Sequence, residues 1–198
     1  MPDGTGTFPA RCGRSKGPVA TGPSRFFSEH RMSTLNRLLR APCLPFVANL
    51  ATSVGLVGGG LVLAHFLRLA ACPLCIVQRM LYMVVALLAL GGLLVFHRDA
   101  GRRLFAALMA LTAAAGVVAA GYQTWIQRFA PTTTCGADMP WYEQLVEWAG
   151  QQVPILFLST GLCSDPAWRF LGLSIAEWSL VAFSGMAVLS MVAFLRRP

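Results

Sequence analysis

The stretch MLYMVVALLALGGLLVFH, residues 80–97, places 18 residues without a charged side chain between Arg79 and Arg98. An α-helix needs about 20 residues to cross about 30 Å of hydrocarbon, so this stretch is nearly long enough by itself. Its apolar residues are continuous rather than alternating, which favours a membrane helix over a strand of a β-barrel. The stretch therefore predicts a transmembrane helix.

Three further parts of the chain show the same pattern. Charge-free gaps of 27, 24 and 18 residues follow Arg40, Arg103 and Glu177. We therefore predict an all-α integral membrane protein in which residues 32–198 form a bundle of four transmembrane helices. The predicted spans are 46–67, 76–96, 104–126 and 175–195, and the loops on one side of the membrane are 68–75 and 127–174.

The composition of the whole chain agrees with a membrane protein. Of its 198 residues, 56% are hydrophobic and 12% are charged, whereas a soluble domain has about 25% charged residues. This balance excludes an ordinary water-facing domain and disorder over most of the chain. The net charge is +8, but a single lysine stands among the 16 basic residues and no basic stripe alternates with aromatic residues. The sequence therefore predicts no nucleic-acid partner.

The basic residues predict the orientation of the helices. Twelve of the 16 lie before the first span, between the second and third, or after the fourth, and four lie on the other side. Since basic residues are enriched on the cytoplasmic side, both termini are expected in the cytoplasm and both predicted loops outside.

The first 31 residues differ from the rest of the chain. They are rich in Gly, Pro, Ser, Thr and Arg and contain no apolar run that could serve as the core of a signal peptide. Two interpretations stay open: a disordered cytoplasmic tail, or sequence upstream of a true translation start at Met32.

The cysteines divide by side of the membrane. Cys12 and Cys43 are predicted on or near the cytoplasmic side, and four others face outward, where disulfides are permitted. These four are Cys72 and Cys75 in the short loop and Cys135 and Cys163 in the long loop. A CxxC disulfide closes a very small ring and stabilises the chain little, so the first pair favours cycling between dithiol and disulfide.

Other interpretations of these four cysteines remain. The CxxC can be half of a zinc site completed by Cys135 and Cys163, or a chance match. Cys135 and Cys163 alone can form a structural disulfide of the loop. Cys43 is interpreted as a small buried apolar residue.

The position of Cys75 favours the redox interpretation. Cys75 is expected at the start of a helix, where free N–H groups and the helix dipole favour an anion, and Pro73 suits that position. Arg79 follows one turn later on the same face, so Cys75 is predicted to have thiolate character. Alternatively, Arg79 extends toward the membrane surface as a snorkelling side chain.

The electron acceptor is predicted from what lies near Cys75. The chain has no GxGxxG or CxxCH motif, and its three histidines are scattered. An arginine at the membrane boundary can donate hydrogen bonds to the carbonyl oxygens of a lipid-soluble carrier. We therefore hypothesise a quinone site that includes Cys75 and Arg79.

Over residues 35–195 the sequence resembles the DsbB family. The resemblance rests on the four spans and on Cys72-Pro-Leu-Cys75-Ile-Val-Gln-Arg79, the pair Cys135 and Cys163 in the long loop, and Trp168-Arg-Phe-Leu-Gly-Leu…Glu177-Trp178. It implies a bacterial inner-membrane protein that reoxidises a periplasmic, thioredoxin-fold DsbA-type protein and passes the electrons to ubiquinone or menaquinone.

The resemblance also implies a role for each matching residue. Cys135 and Cys163 would form the disulfide that the DsbA-type partner attacks, with Cys135 in the mixed disulfide. Electrons would reach the Cys72–Cys75 pair through a transient Cys72–Cys163 bridge. Cys75 would face the quinone as a thiolate supported by Arg79.

One departure from the family concerns the outer end of the third helix. Family members often carry a histidine or arginine there near the quinone, whereas this chain reads Gly121-Tyr-Gln-Thr-Trp-Ile-Gln-Arg128. Gln123 or Arg128 is the candidate substitute. A reductase similar to the vitamin K epoxide reductase family is the alternative enzyme, although that family usually has its CxxC in a late helix.

The long loop contains a predicted helix over 141–148. Trp141, Leu145 and Trp148 recur at the spacing of one helix face, with polar residues on the others. This pattern predicts a short amphipathic helix in the membrane interface, and a loop helix packed on protein is the alternative.

Overall fold

The computed structural model describes residues 43–68, 70–95, 98–129, 141–159, 161–164 and 168–195. The segment 1–31, Met32 and Cys135 lie outside these residues. The described elements are, in chain order, α1 (Leu44–Leu67), α2 (Pro73–Leu94), α3 (Asp99–Phe129), α4 (Trp141–Gln152), α5 (Pro154–Phe157), β1 (Arg169–Phe170), β2 (Leu173–Ser174) and α6 (Ile175–Leu195).

Four of these helices, α1, α2, α3 and α6, are long and apolar enough to cross a membrane. The predicted fold class, a helical membrane bundle, is confirmed. Helix α3 is longer than its predicted span, since it begins at Asp99 and ends at Phe129. Charged side chains limit the part of a helix that lies in hydrocarbon but do not end the helix, and Arg102 pairs with Asp99 one turn earlier at 3.5 Å.

The core lies between α2, α3 and α6. Small residues on α3 allow the neighbouring helices to approach closely: a methyl group at Gly116 would overlap the ring of Phe183 on α6. The Phe183 ring stacks on Tyr82 of α2 with the centroids 4.1 Å apart. These three helices therefore form one packed unit.

The buried residues of helix α1 all lie in its first half. All of α1 is described, and its buried residues are Pro45, Phe46, Asn49 and Ser53. Asn49 donates a hydrogen bond to the hydroxyl of Ser190 on α6 at 3.2 Å. Toward its other end, Gly55, Gly59 and Gly60 have no atom within 4 Å of the position that a Cβ would take. The second half of α1 therefore leaves space beside the core.

Helices α1 and α3 end, and helices α2 and α6 begin, at the same end of the bundle. We call it the cysteine end. There a hairpin pairs β1 with β2, with Phe170 opposite Leu173. Its two turn residues, Leu171 and Gly172, have φ values of 53° and 81°. Two positive φ values fit a two-residue hairpin loop, and glycine adopts this conformation at little cost.

Helix α6 begins in a capping box. The carboxylate of Glu177 accepts a hydrogen bond from the backbone N–H of Ser174 at 2.7 Å, and the Glu177 N–H donates to the Ser174 hydroxyl at 3.4 Å. The other carboxylate oxygen accepts from Nε of Arg128 at 2.8 Å. This ion pair joins the end of α3 to the start of α6.

Candidate active site

The Cys72-Pro73-Leu74-Cys75 segment forms the start of α2. Cys72 is the N-cap residue, Pro73 lies in the first turn as predicted, and the Cys72 sulfur accepts a hydrogen bond from the Cys75 backbone N–H at 3.3 Å. Both cysteines are free thiols, and their sulfurs lie 2.8 Å apart. An S–S bond is about 2.05 Å long, so the two sulfurs need to approach by less than about 1 Å when the pair is oxidised to a disulfide.

Cys163 lies against Cys72. Both side chains are buried, 5% and 3% exposed, in one cluster with Leu74 and Ile126. The Cys72 thiol donates a hydrogen bond to the Cys75 sulfur. Its hydrogen bonds with Cys163 and then with Cys75, together with burial, raise the pKa of Cys72 well above its usual range. Cys72 therefore has a sulfur neighbour on each side, and these contacts favour its neutral form.

A glycine permits this approach of the loop to α2. The backbone N–H of Gly161 donates to the carbonyl oxygen of Ala71 at 2.9 Å. A Cβ at Gly161 would lie 2.5 Å from the carbonyl oxygen of Ala70, closer than side-chain carbons approach such an atom. The absence of a side chain at this position therefore lets Cys163, two residues later, reach Cys72.

Gln123 of α3 contacts both sulfurs of the CxxC. Its Nε2 donates to Cys72 Sγ at 3.2 Å and to Cys75 Sγ at 3.1 Å. Its Oε1 accepts a hydrogen bond from Nε2 of Gln78 on α2 at 2.7 Å. Of the two substitutes named for the family histidine, Gln123 lies at the sulfurs, whereas Arg128 pairs with Glu177.

Sequence reasoning assigned no role to Gln78. The signal was available, because a polar side chain inside an apolar helix usually faces the interior of the bundle and finds a partner there. Gln78 is 3% exposed and Gln123 is 2% exposed.

Arg79 lies between the CxxC and the long loop. Its Nη1 donates to the carbonyl oxygen of Leu156 in α5 at 2.5 Å. Its positive charge also attracts the Cys75 sulfur one turn earlier on α2. The side chain thus turns toward protein groups rather than serving only as a snorkelling residue.

A cavity of about 550 Å³ opens beside these residues, within the range of about 300–1,000 Å³ typical of ligand sites. Cys75 and Arg79 line it on α2, together with Gly59 of α1 and the aromatic rings of Phe170 and Trp178. Most of the wall is apolar, and the guanidinium provides hydrogen-bond donors at one place. This donor set fits a mostly apolar ring with carbonyl oxygens, such as a quinone.

The loop helix α4 presents two different faces. Trp141 and Trp148 are 75% and 61% exposed, and Leu145 is exposed between them, whereas Val146 and Ala149 are buried. The predicted helix is present, with its aromatic face open and the opposite face packed on protein. The buried face agrees with the interpretation of a loop helix packed on protein, and a position of the aromatic face in the membrane interface stays a prediction.

The remaining predicted residues lie apart from the site. Cys43 is buried and disulfide-bonded at the start of α1, the end of that helix away from the cysteine end. The burial of Cys43 agrees with its interpretation as a small buried residue, whereas that interpretation did not include a disulfide. Within the ranges that the structure describes, no group of three or more His, Cys, Asp or Glu residues is arranged to hold a metal ion. The alternative of a zinc site on four cysteines includes Cys135, which lies outside those ranges.

Comparison with known proteins gives consistent matches. Residues 43–193 match the family model described as Disulfide bond formation protein DsbB. Disulfide bond formation protein B of Dechloromonas aromatica is 42% identical over 146 residues, which cover 73% of this chain and 87% of that protein. The corresponding protein of Aromatoleum aromaticum is 39% identical over 77% of this chain and 92% of its own length. Disulfide bond formation protein B 1 of Pseudomonas aeruginosa is 34% identical over 80% of this chain and 98% of its own length.

Proposed function

This chain belongs to the DsbB family of disulfide bond formation proteins, and we propose that it is a membrane thiol:quinone oxidoreductase. In this function it reoxidises a periplasmic, thioredoxin-fold protein of the DsbA type and passes the electrons to ubiquinone or menaquinone. The observation that carries the proposal is the contact among the sulfurs of Cys72, Cys75 and Cys163 beside an apolar cavity.

The first exchanges involve the long-loop pair and the partner. A partner thiolate attacks Cys135 of a Cys135–Cys163 disulfide, and Cys163 leaves with the bonding electron pair as a thiolate. The partner's second thiolate then attacks its own sulfur in the mixed disulfide. The partner becomes a disulfide, and Cys135 leaves as a thiolate.

The next exchanges move the electrons to α2. The Cys163 thiolate attacks Cys72 of a Cys72–Cys75 disulfide, so a Cys72–Cys163 bond forms and Cys75 leaves as a thiolate. Cys135 then attacks Cys163, which restores the Cys135–Cys163 disulfide and releases Cys72. Two electrons and two protons have passed from the partner to the Cys72–Cys75 pair. The contact between Cys72 and Cys163 supports this route.

The cavity is the proposed quinone site. A bound quinone supplies the acceptor for the two electrons and two protons of the dithiol. Cys75 presents its sulfur at the wall, and Arg79 donates hydrogen bonds toward a carbonyl oxygen. The apolar wall excludes water. A partner with a potential of about −120 mV requires a more oxidising acceptor, and a quinone is one.

The proposed location is the bacterial inner membrane, with the cysteine end facing the periplasm and both termini in the cytoplasm. The uneven distribution of the basic residues, 12 against 4, supports this orientation. The oxidising conditions of the periplasm are those in which the proposed exchanges can proceed.

The experiment is quinone-coupled oxidation of a reduced DsbA-type partner by the purified protein. Turnover is expected in the wild type and abolished in Cys72→Ser and in Cys75→Ser. Ser184→Ala on α6, where the exposed hydroxyl donates to the carbonyl oxygen of Leu180, is the control away from the sulfurs and should retain activity. Full turnover in either CxxC variant would remove the central claim.

A further inference from the structure

We propose that Gln123 is a positioning residue that holds the two CxxC sulfurs and stabilises the negative charge left on Cys75 when the Cys72–Cys75 pair opens. Its part in turnover rests on the proposed function. The contact and its effect on Cys75 are properties of this chain and are measurable without a partner protein or a quinone.

A single nitrogen reaches both sulfurs. Nε2 of Gln123 lies 3.2 Å from Cys72 Sγ and 3.1 Å from Cys75 Sγ. A side-chain amide nitrogen carries two N–H donors, so each sulfur can accept one of them. Because Gln123 is almost completely buried, bulk water does not replace these donors when a charge develops.

Gln78 fixes the orientation of the Gln123 amide. Its Nε2 donates to Gln123 Oε1 at 2.7 Å, and both residues are buried. If the Gln123 amide were rotated by half a turn, its Nε2 would face Nε2 of Gln78, which is also a donor. Its Oε1 would then direct lone pairs at the two sulfurs. Gln78 therefore keeps the donor side of Gln123 toward the CxxC.

The hydrogen bond matters most at the step that creates charge. Attack of the Cys163 thiolate on Cys72 forms the Cys72–Cys163 bond, breaks the Cys72–Cys75 bond and leaves the electron pair on Cys75. Thiol exchange is faster when the leaving thiolate is more stable. The donor from Gln123 to Cys75 therefore lowers the barrier to opening the pair.

Charged groups also act on Cys75, and the test must separate them from Gln123. Among the described residues, Cys72 and Arg79 on α2, Cys163 in the loop and Tyr142 on α4 are the titratable or charged groups that contact Cys75 or its cluster, and Tyr82 lines the same cavity. Glutamine does not titrate, so its contribution is a hydrogen bond and not a charge.

The test measures alkylation of Cys75 against pH in purified Cys72→Ser protein, resolved by peptide mass spectrometry. Gln123→Glu keeps the size of the side chain and an acceptor for Gln78 but presents no amide N–H to the sulfur. Gln123→Leu removes the donor without adding a charge. Both should slow alkylation by about 10-fold to 100-fold at a pH below the range in which Cys75 of the parent ionises, the usual effect of a hydrogen bond to a charged group, and should match the parent at strongly alkaline pH.

Two further variants make the result specific. Gln78→Leu should slow alkylation less than Gln123→Leu, because it releases the amide without removing it. Thr124→Val is the matched control on α3, since the Thr124 hydroxyl bonds to the carbonyl oxygen of Ala120, and it should keep the parent rate.

An unchanged rate in Gln123→Leu would overturn the proposal, even if Gln123→Glu were slow through charge repulsion. Slowing by the same factor at every pH would also overturn it, because that result indicates a change of access to the sulfur. Since the assay contains no partner and no quinone, each outcome is independent of whether the protein oxidises a DsbA-type protein.

Discussion

Arg79 of α2 donates a hydrogen bond to the backbone carbonyl of Leu156, 77 residues later in the chain, at 2.5 Å. The same side chain lines the cavity next to Cys75. A guanidinium has five N–H donors, so the bond to Leu156 leaves others for a ligand in the cavity. One side chain therefore links the cavity to the loop segment that precedes Cys163.

We predict that Arg79→Ala weakens the apparent affinity for quinone more than it slows thiol exchange. A lost hydrogen bond from a charged donor should raise the quinone KM by about 10-fold or more. The quinone KM of Arg79→Lys should lie between those of the wild type and Arg79→Ala, because an ammonium keeps the charge but lacks the planar set of donors. Steady-state kinetics against quinone, with single-turnover exchange against the reduced partner, separates the two effects. An unchanged quinone KM in Arg79→Ala would contradict the assigned role.

A second prediction uses the contact between Cys72 and Cys163. In the double variant Cys75→Ala, Cys135→Ala, these two cysteines lose their other proposed partners. Mild oxidation should then join them in a disulfide, because their side chains already lie in one buried cluster. Peptide mapping without reduction detects the linked pair, and adding Cys163→Ala is the control. If Cys72 stays a free thiol under conditions that oxidise the wild-type CxxC, the proposed bridge is wrong.

The third prediction concerns Gly161. A methyl group there meets the carbonyl oxygen of Ala70, so Gly161→Ala should move the loop away from α2 and cost about 1–3 kcal/mol in the free energy of unfolding. Thiol–disulfide exchange between Cys163 and Cys72 should also become slower, because the two sulfurs would lie farther apart. Gly185→Ala on α6 is the matched control, since nothing lies within 4 Å of its Cβ position. Chemical denaturation in detergent and the disulfide-trapping assay measure the two effects, and equal behaviour of the two variants would argue against a need for glycine at 161.

The helices could be predicted from the sequence because their signals are local. A charge in hydrocarbon is costly wherever it occurs, so charge-free gaps locate the spans without knowledge of their neighbours. Pro73 likewise marks the start of α2 by its own geometry. The ends of the helices outside the hydrocarbon were less predictable, because α3 continues through charged residues such as Arg102.

The contacts that complete the site could not be predicted in the same way. Gln78 and Gln123 are 45 residues apart, and their hydrogen bond depends on how α2 packs on α3. Gln123 could be named as a candidate because it lies near the position of the family histidine. Its two contacts with the sulfurs could not be predicted, because they depend on the packing of the helices. The bond from Arg79 to Leu156 involves a backbone carbonyl, which any residue at 156 would offer.

The last prediction separates two roles of Glu177. Its carboxylate pairs with Arg128, which is 59% exposed, and also caps α6 through the Ser174 N–H. Although Glu177 is only 13% exposed, solvent reaches the pair from the Arg128 side, and an ion pair that solvent screens stabilises a protein by about 0–1 kcal/mol. Arg128→Ala and Glu177→Gln should therefore each cost about that much, since glutamine can keep the capping bond.

Glu177→Ala removes both interactions and should cost about 1–2 kcal/mol in the free energy of unfolding. Added salt should narrow the difference between wild type and Arg128→Ala, because salt screens an exposed ion pair, but should not rescue Glu177→Ala. Denaturation of the four proteins in one detergent at low and high salt measures these differences. If Glu177→Ala costs no more than Glu177→Gln, the ion pair accounts for the whole contribution and the cap adds nothing to the stability of α6.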